Sequence, residues 1–241
     1  MGMRMKEWQK VHRKNRAALS KAIVQMNRSL NESIQRKDKE KEYVQARCLF
    51  LLWVSWMEVS MDLILHSANK LTEAERKSIV ACRREIDRWN LCLDLCFAKH
   101  YLTGKKRSLT KINLGPTAFY RFQELKAILK DYIDPYIEIR NRLAHGQWMI
   151  AINSEGSGKN QDLTTRLMVL SKKELLLVKM MVKNFVNLVN VLACSKNEFE
   201  KKYDETISKM EFSKQENDKI FRNTLDCLHR SHLQKRSLGY Y

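Results

Sequence analysis

Three residues near the middle of the chain bring a cation, an amide and an imidazole within six positions. Arg140, Asn141 and His145 lie in the string RNRLAH. The planar guanidinium of arginine binds phosphate, and histidine can accept or donate a proton near neutral pH. No cysteine or acidic cluster accompanies them. The chemistry indicated is therefore acid–base catalysis at a phosphate, without a metal or a cofactor.

Arg140 holds an unusual place on the helix that this segment predicts. On a wheel of 100° per residue it falls near the middle of a broad apolar arc. A guanidinium buried against hydrocarbon without a partner is costly. Arg140 must therefore pair with an acid, or the arc must face a cleft or a subunit interface that receives an anion. The arc consists of Tyr132, Ile133, Tyr136, Ile137, Ile139, Leu143 and Ala144.

The motif helix is predicted to end at Gly146, because glycine commonly follows a helix C-terminus. His145 then lies in the last turn, where the helix dipole favours a protonated imidazole. Asn141 stands one turn before His145 on the same face. It is therefore placed to orient either a phosphate or the imidazole.

Glu58 is the acid that best fits as the partner of Arg140. It stands inside the apolar run WVSWMEV, on a helix predicted to cross the core. The alternative is that Glu58 and Asp62 only mark the polar edge of an otherwise buried helix.

The elements that position these residues follow from the composition. The 241 residues include 2 prolines and 7 glycines, and 44% are hydrophobic. So few helix breakers favour long helices and argue against collagen-like, Gly/Ser-rich or many-turned β architectures. The 45 basic and 27 acidic residues give a net charge of +18, which indicates a polyanionic partner such as nucleic acid.

Hydrophobic periodicity and capping residues predict an all-α fold. Thr72 and Ser171, each with a glutamate three positions later, predict capping boxes. The β-prone runs 147–152 and 164–170 predict a small β-hairpin inserted after the motif helix. Helices are predicted over 5–36, 41–69, 73–102, 117–134, 135–145, 172–202 and 213–233.

We divide the chain into three regions. Residues 1–40 form a basic N-terminal helical extension, 41–212 the main helical domain, and 213–241 a C-terminal helix or tail. The extension either binds RNA or is a solvated face with one docked stripe.

A basic loop separates the third and fourth predicted helices. Lys105, Lys106, Arg107 and Lys111 lie in it. They either contact the phosphates of RNA or belong to a solvated connection, and the sequence supports both readings equally.

The remaining features indicate a reducing compartment. The six cysteines form no CxxC pair, so we interpret them as free thiols. Cys92, Cys96 and His100 share a helical face, but core packing explains them better than a metal site does. The N-terminus lacks the apolar stretch of a secretory signal. We therefore predict a cytoplasmic protein that contacts no membrane.

The motif resembles the signature of the HEPN superfamily, an Arg-x4-His string with asparagine second. The similarity is strongest over Glu138–Trp148, and the helical order of 41–202 agrees with it. The first 40 and last 30 residues are not covered. The resemblance implies a HEPN-like helical bundle over 41–212, with the hairpin tolerated as an insertion.

The resemblance also implies an activity. Many HEPN domains are metal-independent endoribonucleases of toxin–antitoxin, abortive-infection and anti-phage defence systems. By analogy, His145 would perform acid–base catalysis, Arg140 would bind the scissile phosphate and Asn141 would orient it, with Glu58 in support. The expected partners are RNA, a second copy that completes a composite active site, and an antitoxin or another regulatory protein.

Two other functions fit the same residues. The first is a non-catalytic HEPN-like module that binds RNA or a nucleotide in the same cleft. The second is a helical interaction protein whose basic surface binds an acidic partner.

Overall fold

Long apolar-striped segments with few breakers fold into long helices. The computed structural model describes residues 5–67, 71–103, 108–153 and 155–237. These residues form an all-α protein without a β-strand. Its helices are α1 (Met5–Gln35), α2 (Lys39–Leu65), α3 (Glu73–Val80), α4 (Glu85–Tyr101), α5 (Lys111–Leu114), α6 (Pro116–Ile128), α7 (Asp134–Ala144), α8 (Gln161–Met168), α9 (Lys172–Cys194) and α10 (Lys196–Ser237).

Helix α2 lies at the centre of the bundle because apolar side chains cover most of its circumference. Phe50, Val54 and Met57 are fully buried. Helices α1, α7 and α9 all pack against α2. The basic α1 contributes Ile23 and Leu30 to the core, so its apolar stripe is docked along α2.

Two of the core helices are long and apolar enough to cross a membrane. They are α2 and α9, and 56% of the apolar window of each is buried inside the bundle. Core helices of folded domains meet the same criteria of length and composition, so this property is weak support for a membrane span. The absence of a membrane partner stays a prediction.

The predicted β-hairpin is wrong. Only an isolated antiparallel bridge between Ile152 and Lys159 forms, and the second predicted strand is helix α8. The Asn160 side chain accepts a hydrogen bond from the Leu163 amide, which caps the helix. The threonines that favoured a strand instead donate their hydroxyl hydrogen bonds to backbone carbonyls one turn earlier.

The predicted third helix is two helices, α3 and α4. Arg84 has an extended backbone and precedes α4. Its guanidinium pairs with Asp87 at 2.8 Å, so a local ion pair stabilises the start of α4 where one continuous helix was expected.

The last two predicted helices have different boundaries. Helix α9 stops at Cys194, and α10 runs unbroken from Lys196 to Ser237. Ser195 has an extended backbone, and its hydroxyl accepts a hydrogen bond from the Glu198 amide at 3.3 Å. A serine that caps the next helix therefore moves the break to 195 and removes the predicted gap before 213.

The two predicted capping boxes differ. At α3, Thr72 and Glu75 bond to each other's backbone amides, so the box is complete. At α9, the Ser171 hydroxyl accepts from the Glu174 amide. The Glu174 carboxylate is instead buried, with its Oε2 lacking a hydrogen-bond partner in the described part of the chain.

Helix α6 passes into the motif helix through a π-helical turn, Leu129–Ile133. Pro135 follows in the first turn of α7. Proline cannot donate a backbone hydrogen bond and disturbs the preceding turn, and a π-turn accommodates the altered register. The predicted renewal of the helix at Pro135 is confirmed.

Candidate functional site

Helix α7 ends in a Schellman motif. Gly146 has a φ of +80°, a conformation that suits glycine. Its amide donates to the Leu143 carbonyl at 3.2 Å, and the Gln147 amide donates to the Arg142 carbonyl at 2.9 Å. This is the expected bonding for a glycine just after the helix end. His145 is therefore the C-cap residue of α7, and it is exposed to solvent.

Arg140 pairs with Glu58 through its Nη2 and the Glu58 Oε1. The two side chains are 25% and 21% exposed. Burial lowers the pKa of Arg140, but an arginine stays charged because its ordinary pKa is so high. Its Nε is buried and has no hydrogen-bond partner among the described residues. The pairing expected from the sequence is present, and the guanidinium keeps unused donors.

The apolar arc of α7 faces the core as predicted, with one exception. Tyr136, Ile137 and Leu143 are buried, and the Tyr136 ring meets the ring of Phe50 on α2 edge-on at 5.9 Å. Ala144 is exposed, which corrects its assignment to the arc. It is the last residue of the helix, where the chain turns away from the core.

Asn141 and His145 lie on the surface. No hydrogen bond or ion pair within the described ranges joins either side chain to Arg140. One copy of α7 therefore presents the mostly buried cation of Arg140 and the exposed imidazole of His145, with no direct contact between them.

The predicted basic loop is only partly described. Lys111 is exposed at the first position of the short helix α5. Lys105, Lys106 and Arg107 lie outside the described residues.

A second arginine pairs with α2 one turn beyond Glu58. Asp62 accepts a hydrogen bond from Arg88 on α4 at 2.8 Å, and Arg88 also pairs with Glu85 at 2.8 Å. Burial raises the pKa of Glu85. Residues four apart share a helix face, so Glu58 and Asp62 form an acidic edge of α2 that two arginines from different helices cover.

Three rings cluster beside Asp62. The ring centroids of Trp8 and His66 lie 5.7 and 4.9 Å from that of His12 and 6.0 Å from each other. The His12 Nδ1 is 3.6 Å from the Asp62 Oδ2. Burial lowers the pKa of His12, and Asp62 opposes that shift. The spacing of residues along the sequence could not predict this cluster, because its members meet only when α1, α2 and α4 pack together.

Arg47 anchors the segment that follows the motif. It is 1% exposed and donates to the backbone carbonyls of Trp148, Leu167 and Tyr43 at 3.0, 2.8 and 3.2 Å. The Tyr43 hydroxyl donates to the same Trp148 carbonyl, and the Trp148 indole donates to the Leu143 carbonyl. Sequence reasoning missed Arg47, although a cation inside the apolar stretch of α2 was a visible signal.

Exposed apolar side chains follow the motif. Met149 is 66% exposed, Ile150 53% and Ile152 41%. Large apolar side chains clustered on a surface mark interaction sites. This apolar strip lies within seven residues of His145 along the chain.

The described residues contain no group of three or more His, Cys, Asp or Glu side chains arranged to hold a metal ion. Cys92 and Cys96 are buried thiols outside any disulfide. Both belong to the hydrophobic core, which fits the packing role expected of them.

Comparison of the chain with protein-family models, curated proteins and solved structures finds no match.

Proposed function

We propose that this protein is a metal-independent endoribonuclease with a HEPN-like bundle, of the toxin or abortive-infection type. The observation that carries the proposal is the pairing of Arg140 with Glu58 on the same helix as the exposed Asn141 and His145. An arginine held in one orientation can bind a phosphate, and an exposed imidazole can accept or donate a proton. The net charge of +18 supports RNA as the polyanion.

The reaction is an internal transesterification. Neutral His145 takes the proton of the ribose 2′-hydroxyl, and the 2′-oxygen attacks the adjacent phosphorus. The phosphorus–5′-oxygen bond breaks, and a protonated imidazole supplies the leaving oxygen with its proton. Arg140 stabilises the charge on the equatorial oxygens through the donors that Glu58 does not use. The products are a 2′,3′-cyclic phosphate and a 5′-hydroxyl.

A composite site between two copies meets the need for a base and an acid together. A two-fold axis brings the same surface of both copies together, so one His145 accepts the first proton and its counterpart donates the second. The exposed Met149, Ile150 and Ile152 offer an apolar contact beside the motif. Their burial would hold the two motifs against one RNA strand.

One observation favours a second candidate, an RNA-binding module without catalysis. The Glu58 carboxylate already occupies Arg140, and it competes with a phosphate for that cation. Such a module would bind RNA with a steep salt dependence and leave it intact.

Purified protein incubated with RNA in EDTA tests the proposal. We expect cleavage with cyclic-phosphate ends, and a loss of about 10²–10⁴-fold in the His145→Ala variant. Arg142→Ala is the matched control, because Arg142 lies between the proposed catalytic residues and has no role in the proposed reaction. RNA left intact by the parent protein, or cut equally well by His145→Ala, would exclude the nuclease. Tight binding without cleavage would select the second candidate.

A further inference from the structure

A groove runs between α1 and α9, which lie on either side of α2. Its cavity measures about 370 Å³, within the usual range for ligand sites. The floor is apolar and is formed by Ile23 of α1, Leu49 and Trp53 of α2, and Leu175 of α9. Val24 and Leu176 on the two lips are 48% and 46% exposed. The apolar surface therefore continues from the floor onto both lips.

The rim of this groove is basic. Arg28 stands on the α1 side, and Lys172, Lys179 and Lys183 stand along the α9 side. No aspartate or glutamate lines the cavity. In the part of the chain that the structure describes, none of these four cations has an ion-pair partner. Their charges face solvent beside an apolar floor.

The cations are spread along the groove. A second cavity of about 400 Å³ continues it past Trp56 and Lys183, and Arg16 and Asn187 line this part. Arg16 and Arg28 are about 18 Å apart along α1 at 1.5 Å per residue. The groove is thus long, apolar at its base and positive on both sides.

Three occupants fit poorly. An amphiphile with a single anionic head group would fit a groove whose cations cluster at one end, but here the cations are spread along it. Stacked nucleobases would need open aromatic faces, but Trp53 is buried and Trp56 contacts Arg16 and bonds to Ser20. A second copy of the chain would bring the same positive charge to the groove.

We propose that the groove binds an amphipathic helix with acidic flanks from a different protein. Such a helix would place aliphatic side chains on the floor, in the manner of helix-in-groove recognition. Its Asp and Glu side chains would meet the cations on both lips, which steers association and fixes the register. The distance of about 18 Å between Arg16 and Arg28 corresponds to about 12 residues of a bound helix. This site is separate from the Arg140–Glu58 pair and does not depend on the nuclease activity.

A designed peptide tests the proposal. The probe is a 16-residue helix with leucines at the i, i+3, i+4 and i+7 positions and glutamates on its flanks, added to the full chain. We expect saturable binding that changes the tryptophan fluorescence, a change reduced by Trp56→Phe. The double variant Lys179→Glu/Lys183→Glu should weaken binding about tenfold or more. The control pair Lys130→Glu/Lys159→Glu, on exposed sites away from the groove, should leave affinity within about twofold.

Two comparison ligands decide the class of occupant. A scrambled peptide of the same composition and a version with lysines in place of the glutamates should bind at least tenfold more weakly. Equal binding of the scrambled peptide, no binding of the acidic helix, or indifference to Lys179→Glu/Lys183→Glu would overturn the proposal. Displacement of the acidic helix by single-stranded oligouridylate or by laurate at equal affinity would also overturn it, in favour of a nucleic acid or a lipid.

Discussion

The Arg140 guanidinium on α7 pairs with the Glu58 carboxylate on α2, which ties the motif helix to the central helix of the bundle. Both side chains are about three-quarters buried, so each charge depends on the other for compensation. The pair also fixes the direction in which Arg140 points. The same contact therefore contributes to the stability of the fold and to the geometry of the proposed active site.

Removing Glu58 should destabilise the protein. We expect Glu58→Ala to lower the free energy of unfolding by about 1–3 kcal/mol, because Arg140 would keep a mostly buried charge without its carboxylate. The double variant Glu58→Ala/Arg140→Met should be more stable than the sum of the two single changes predicts. Urea denaturation measures all of these values.

The exposed Glu138 on the same helix is the matched control. Glu138→Ala should change the free energy of unfolding by less than about 0.5 kcal/mol. Equal losses for Glu58→Ala and Glu138→Ala, or strict additivity in the double variant, would show that the pair contributes nothing.

Sequence patterns predicted helices well where one local signal acted alone. Local signals of this kind are the capping box at Thr72, the proline at position 135 in the first turn of α7, and Gly146 after the end of α7. The structure agrees with each of them. The β-hairpin predicted after the motif was wrong because threonine favours strands when only its own propensity is considered. In the folded chain, the Asn160 cap and the burial of Leu163 and Leu167 outweigh that preference.

Only part of the candidate site could be read in advance. Arg140 and Glu58 were visible because each is a charge inside an apolar pattern. The contacts of Asp62 with Arg88 and His12 could not be predicted from the sequence, because they join residues of α1, α2 and α4 that are far apart along the chain. Local periodicity indicates which face of a helix is polar, but not which distant side chain covers it.

The apolar strip after the motif should hold the two copies together. We expect Met149→Glu/Ile150→Glu to weaken dimerisation at least about a hundredfold, because two large apolar side chains per copy would lose their burial. Cleavage should fall in step with the dimer fraction measured by sedimentation. Val80→Glu, at a comparably exposed apolar site on α3, should alter neither. A monomeric parent protein that cuts RNA would contradict the composite site.

Arg47 should matter for stability more than any cation on the surface. Arg47→Met removes three hydrogen bonds to buried or half-buried carbonyls, and unpaired buried acceptors are costly. We expect a loss of about 2–4 kcal/mol in the free energy of unfolding. Amide hydrogen exchange should also rise at Trp148 and neighbouring residues. Arg142→Met serves as the control, and comparable losses for both would refute an anchoring role for Arg47.

Glu174 should make the stability of the protein depend on pH. Burial raises the pKa of this carboxyl from an ordinary 4.5 to about 7, against the smaller opposing effects of Arg166 and Lys173. Between about pH 4.5 and 7 the folded state therefore binds a proton that the unfolded chain releases. Stability contributed by the protonated group is complete below pH 4.5 and is lost as the pH rises through 7.

Glu174→Gln keeps the shape of the side chain but cannot ionise. We expect it to match the parent protein near pH 4.5 and to exceed it at pH 8 by about 3 kcal/mol, the value that a shift from 4.5 to about 7 implies. Thermal unfolding followed across this range measures the difference. Glu211→Gln on α10, which replaces an exposed carboxyl, should follow the parent protein at every pH. A Glu174→Gln variant that tracks the parent throughout would show that the carboxyl reaches water, because only a buried charge carries this penalty.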